Sequence, residues 1–246
     1  MFSLANIPEL VLSVLAVLIT LSLHEFAHAF AAYKLGDNTA RNLGRLSLNP
    51  LKHLDPIGAI FMLVFHFGWA KPVPINARNF KKPKRDFAIT ALAGPLSNVI
   101  VAFFSTFLYL ISLKVYLTGI EGFLGNVVYN TCLFLSVFSS INVGLGIFNL
   151  IPIPPFDGSR ILNVILPAKL YFKVMKYERY IYWGVIAWLF LGSYVYSTLV
   201  AIPFIGSNAI LSTVLRVFDL SGLIHEAIVF IYRSMVSFWQ LLPFLR

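Results

Sequence analysis

The sequence predicts an all-α polytopic membrane protein with about four to six transmembrane helices, and three observations carry that prediction. Hydrophobic residues make up 59% of the 246 positions and charged residues only 12%, whereas a soluble domain is about 25% charged. The apolar residues come in long blocks, 10–33, 87–113, 127–150 and 180–200, that hold almost no charge. A block of about 20 apolar residues is long enough to cross a bilayer. The 19 Lys and Arg collect between these blocks, as they do in the cytoplasmic loops of membrane proteins. The formal charge of +9 is therefore an effect of loop placement in a chain whose surroundings are lipid. No nucleic-acid partner is expected. Cys132 is the single cysteine, which excludes an intrachain disulfide and any thiolate zinc site. With no internal repeat, residues 1–246 read as one integral membrane domain.

The first block is read as a retained span. Ala29-Phe30-Ala31 resembles a signal cleavage site, but Met1 to Leu10 holds no Lys or Arg, so the positive leader of a signal peptide is missing. Inside the block lies His24-Glu25-Phe26-Ala27-His28, and Glu25 is the sole charge between Glu9 and Lys34. Residues four apart share a helix face, so His24 and His28 can offer two imidazoles to one metal ion. Glu25 sits beside them, within reach of a water on that metal. A lone histidine on an apolar helix is ordinarily a satisfied core residue. Two of them flanking a glutamate at this spacing are what a zinc hydrolase presents, and an ionisable group inside a span is costly enough to be functional by default. His225-Glu226 is an internal control, because position 229 is Val229 and the second imidazole is absent.

The polar stretch 34–55 follows, with Lys34, Arg41, Arg45 and Lys52 and turn signals at Gly36-Asp37-Asn38 and Asn49-Pro50. Ile57 to Trp69 is apolar but short for a span, which suits re-entry from one face. The second basic tract, Lys71 to Arg85, would face the opposite side if 57–69 crossed, and the same side if it re-entered. The positive-inside rule favours re-entry. Lys71-Pro72-Val73-Pro74-Ile75-Asn76 reads as an extended edge, since proline is excluded from a central strand. In the 87–113 span, Ala93-Gly94-Pro95 allows close helix approach and Asn98 needs a hydrogen-bond partner. In the 127–150 span, Asn142, Gly144, Gly146 and Asn149 suggest tight packing. That span ends at Pro152, Pro154 and Pro155, which break the helix, and Gly158 permits a tight turn. Asp157 is the only acidic residue between Glu121 and Glu178. It is either a helix cap or a third ligand. Residues 180–200 form the fourth block, and Ile224 to Leu245 is a fifth span or a surface helix.

With re-entry, most of the 19 basic residues fall on one side. The N-terminus is then outside the cell membrane, and the His24/His28 end of the first span and Asp157 both face the cytosol.

Three further tracts accompany the histidine pattern: Gly68-Trp69-Ala70-Lys71-Pro72-Val73-Pro74, Ala93-Gly94-Pro95 with Asn98, and Asn149 to Gly158 with its prolines and Asp157. Together these resemble the site-2 protease family of intramembrane zinc metalloproteases, in its compact bacterial form. The resemblance covers about residues 8–165 and implies a three-helix metalloprotease core there, with 166–246 adding further membrane helices. It implies His24, His28 and Asp157 as ligands of one zinc ion per chain and Glu25 as general base. Asn149 and Asn98 would meet the substrate at the site, and residues 68–76 would form a re-entrant β-hairpin that meets it. As an edge strand, Val73 to Ile75 is expected to pair with the unwound substrate backbone. The expected substrate is a transmembrane protein cut near the cytosolic face after another protease has trimmed it. No PDZ or CBS domain is expected. The rival reading is a metal or proton transporter using the same intramembrane cluster, although such a site does not need Glu25. His53 and His66 are rival ligands.

Overall fold

The computed structural model describes residues 7–58 and 70–245. Three long helices form the core: α1 (Ile7–Lys34), α2 (Pro83–Tyr116) and α3 (Gly122–Leu150). All three are long and apolar enough to cross a membrane. They overrun the charge-free blocks because helix ends tolerate charge of the right sign. α2 starts with Pro83 in its first turn, where a missing N–H costs nothing, and carries Asp86 near its N-terminus and Lys114 in its last turn. Asp86 reaches back to accept the Lys82 N–H at 2.9 Å.

Shorter elements follow: α4 (Asp157–Ile165), α5 (Ala168–Lys176), α6 (Glu178–Val200), α7 (Ala209–Leu215) and α8 (Leu220–Trp239). α6 is bent by 45° between its halves and makes a fourth candidate span if the halves are taken together. Among the described residues the candidate spans therefore number three or four, against the four to six expected. α8 carries His225, Glu226 and Arg233 and is not one of them. It packs Ile228, Ile231, Tyr232 and Met235 against Ala102 of α2 and Val143 of α3, and Trp239 Nε1 donates to the Phe103 carbonyl at 2.8 Å.

Small and polar residues set the core spacing. A Cβ on Gly146 would lie 3.2 Å from the Pro95 carbonyl oxygen, so α2 and α3 touch there. Asn142 donates to the Thr20 hydroxyl at 2.8 Å, one turn before His24, and ties α3 to α1. These are the close contacts that Asn142 and Gly146 predicted. α1 ends at Lys34, α2 begins at Pro83, and Asp37 just beyond α1 is hydrogen-bonded to Asn76 and Asn79 just before α2. The chain thus leaves and re-enters the core at one end, where α4 also starts.

Residues 59–69, which include His66, Gly68-Trp69 and most of the expected re-entrant stretch, lie outside the described residues. Their flanks meet: Leu54 and Ala70 form an antiparallel bridge, and the Lys71 N–H donates to the His53 carbonyl at 2.8 Å. Among the described residues no β-hairpin is formed. This bridge is isolated, and Lys71 to Asn76 runs on as an extended strap rather than a strand, because Pro72 and Pro74 have no N–H for a ladder.

Candidate active site

His24 and His28 project from α1 with their rings 4.6 Å apart and nearly perpendicular. Their Nε2 atoms are 3.0 Å from each other, and each is 3.1 Å from Asp157 Oδ2. Among the described residues this is the cluster of His and acidic groups able to hold a metal. Donors bound tetrahedrally to zinc at about 2.0–2.1 Å lie about 3.3–3.4 Å apart, so two imidazoles and a carboxylate at these separations fit zinc in donor type and in spacing.

The second ring nitrogens decide which lone pairs point inward. His28 Nδ1 is 2.7 Å from the Thr90 carbonyl oxygen. A carbonyl only accepts, so Nδ1 carries the proton and Nε2 is left with its lone pair. His24 Nδ1 lies 3.2 Å from the Asn98 amide. That amide, turned end for end, presents its oxygen to an Nδ1–H and frees His24 Nε2 in the same way; the oxygen is otherwise buried without a partner. Space for both rings comes from Gly94. A Cβ there would sit 2.4 Å from His28 Nε2 and 2.7 Å from His24 Cε1. Gly94 was read from the sequence as a helix-packing residue, but what it admits is the pair of imidazoles.

Asp157 arrives from the third segment. It is the first residue of α4, with Phe156 at the cap position, and its carboxylate turns to the histidines rather than capping the helix. Gly158 follows for a reason other than a turn. A Cβ on it would lie 2.4 Å from the Leu150 carbonyl oxygen and 2.5 Å from that of Ile151, so the start of α4 is pressed against the end of α3.

A cavity of about 390 Å³ opens over the cluster, and Glu25, His28, Asp157, Val73, Ile75 and Arg160 contribute to its walls. Val73 donates its backbone N–H to Glu25 Oε2 at 2.8 Å. Val73 and Ile75 are therefore part of the cavity wall beside Glu25. Asn98 and Asn149 are not. Asn98 is fully buried behind His24. Asn149 is half-buried, donates to the Leu145 carbonyl of its own helix at 3.1 Å, and is not part of the cavity wall. An amide on an apolar helix signals only that it needs a partner, and nothing in sequence says that the partner is a histidine ring or a carbonyl one turn back. His53 is buried and donates to the Ser47 carbonyl at 2.7 Å, outside the cluster. Thr90 and Arg160 were not read as site residues. The Thr90 contact is a backbone one that leaves no side-chain signal, while Arg160, three residues after Asp157 on α4, could have been found by helical spacing.

Residues 12–192 match the model of peptidase family M50. The chain belongs to peptidase family M50. It is 40% identical over 206 residues to "Putative zinc metalloprotease YwhC" of Bacillus subtilis, covering 79% of this chain and 86% of that protein. MJ0611 of Methanocaldococcus jannaschii, which carries the same designation, is 35% identical over 111 residues, 44% of this chain and 49% of that one. Rip2 of Mycolicibacterium smegmatis, also so designated, is 32% identical over 103 residues, 40% of each chain. No solved structure matches. As an M50 member, the site-2 protease family, the chain is a membrane-embedded metalloendopeptidase whose metal is zinc. Nothing among these relatives supports metal or proton transport.

Proposed function

We propose that this M50 peptidase hydrolyses peptide bonds within the transmembrane segments of membrane proteins, close to the cytosolic face of the cell membrane, on substrates already trimmed by another protease. One observation carries the reading: Glu25, His28 and Asp157 line a single cavity at the end of the three-helix core where both basic tracts gather, and His24 completes the cluster of three ligands. The positive-inside rule makes that end cytosolic and the N-terminus external.

His24 and His28, through Nε2, and Asp157, through Oδ2, would hold one zinc ion and leave a position open, as catalytic sites do. Zinc held there supplies Lewis acidity toward a water and a peptide carbonyl. Glu25 takes the proton of the attacking water on a carboxylate oxygen and delivers it to the leaving amine. The Val73 N–H fixes the Glu25 carboxylate over the cavity. Thr90 holds the His28 ring, and Asn98, rather than touching substrate, holds that of His24. Asn149 is proposed to hold the substrate backbone once its amide leaves Leu145. A peptide bond inside a helix is shielded by its own hydrogen bonds, so the substrate must unwind. The strap at Val73 and Ile75 offers its backbone to the freed chain by strand addition.

The test is cleavage of a transmembrane peptide by the purified, reconstituted chain. Glu25→Gln should end cleavage while zinc content stays at wild-type level. Continued cleavage by that variant would sink the assignment.

A further inference from the structure

The strap beside Glu25 is tied down at both ends, and the residue holding its far end has no part in the chemistry above. Asp37 lies just beyond α1 and is fully buried. Its Oδ1 accepts the Thr39 N–H at 3.0 Å, the Thr39 hydroxyl at 2.5 Å and the Asn79 side-chain amide at 2.7 Å. Its Oδ2 accepts the Asn76 backbone N–H at 2.7 Å. Burial acts to raise its pKa, but the hydrogen bonds from Thr39, Asn76 and Asn79 outweigh it and hold the carboxyl below its usual range. A buried carboxylate is costly unless its lone pairs are satisfied. A local turn needs only the Thr39 bonds. The other two reach across to the strap.

At the strap's near end, the Lys71 N–H donates to His53 and Arg45 donates to the Lys71 carbonyl at 2.6 Å. Between these anchors Pro72 and Pro74 fix φ and stiffen the chain. The hydrogen bond at the strap's middle is Val73 N–H to Glu25, and the Val73 side chain packs with Ala29 and Ala40. A shift at Asn76 is therefore passed through Pro74 to Val73 instead of being absorbed.

We propose that Asp37 is a positioning residue of this peptidase: it pins the strap at Asn76 and Asn79, so that Val73 and Ile75 stand beside Glu25 with their backbone ready to pair with an unwound substrate. This rests on the protease reading above.

The test compares full-length wild type, Asp37→Asn, Asn79→Ala and Thr39→Val in detergent. Amide hydrogen exchange over 70–80 should quicken by about tenfold in Asp37→Asn, less in Asn79→Ala and least in Thr39→Val, which keeps the Asp37 bonds to Asn76 and Asn79 and, of the strap contacts, loses only the longer 3.3 Å bond from Asn79 to the Thr39 hydroxyl. Zinc content should be unchanged in all. With a quenched-fluorescence peptide carrying one apolar helix as the probe, Asp37→Asn should raise KM by about tenfold while kcat stays within about threefold. Unchanged strap exchange overturns the proposal. So does a loosened strap with wild-type KM, or a fall in kcat with loss of zinc and no change in KM, the mark of general damage. If Asp37→Asn does not fold, Asn79→Ala carries the same readouts. A wild type that cleaves no peptide counts against the protease reading, and the exchange rates still decide whether Asp37 pins the strap.

Discussion

The chain contains two His-Glu pairs on helices, and their surroundings differ in every respect that matters. His24-Glu25 sits in α1 with His28 one turn on. Thr90 and Asn98 hold the two rings from α2, Asp157 meets them from α4, and Val73 holds the glutamate. His225-Glu226 sits on α8 with both side chains exposed, and Glu226 pairs with Arg216. The dipeptide is the same. What separates a metal centre from a surface ion pair is the second imidazole and the parts brought in from other segments. A pair in the second setting is worth about 0–1 kcal/mol and is screened by salt. Buried donors in the first setting, by contrast, leave each other unsatisfied if one is removed.

The sharpest way to break this contrast is at the two glutamates. Glu25→Gln should lower cleavage by about a thousandfold or more, and Glu226→Gln should leave it within about twofold; rates on a transmembrane peptide check both. Next come the metal and the space around it. Asp157→Ala should lose zinc by elemental analysis, whereas His225→Ala should keep it. Full zinc occupancy in Asp157→Ala would remove Asp157 from the ligand set. Gly94→Ala should also deplete zinc, since its Cβ would overlap both imidazoles. Asn98→Ala removes a ring-orienting partner and should cost about 10–100-fold in zinc affinity, measured by chelator competition. An unchanged affinity would mean that α1 alone orients His24. The smallest effect is expected at the strap. Val73→Pro removes the N–H given to Glu25 and should lower cleavage of helical substrates by about tenfold, with little effect on an already extended peptide.

Much of this was legible in the residues themselves. Helix periodicity put His24 and His28 on one face. The absence of charge marked the spans, and the prolines after Leu150 marked where α3 stops. Charge counting brought Asp157 to the same end. The readings that changed share a cause. The resemblance assigned Asn98 to the substrate, but the amide meets the His24 ring, and an amide's choice of partner depends on helix rotation, which composition does not encode. Gly158 was read as a turn residue, yet it is required by the approach of α4 to two carbonyls at the end of α3, a contact between backbones. Asp37 passed as part of a turn signal because its distant partners, Asn76 and Asn79, lie on the far side of a long insertion.

That insertion is closed at its neck by the pairing of Leu54 with Ala70 and the bond from Lys71 to His53. A change in the number of residues between these paired neighbours would leave that pairing, and with it the start of the strap, where it is. The connection from Leu150 to Asp157 has no such freedom. One residue more or fewer there would turn the carboxylate away from the histidines. Lineages descended from this fold should therefore vary in length between Leu54 and Ala70 and keep the short connection at constant length.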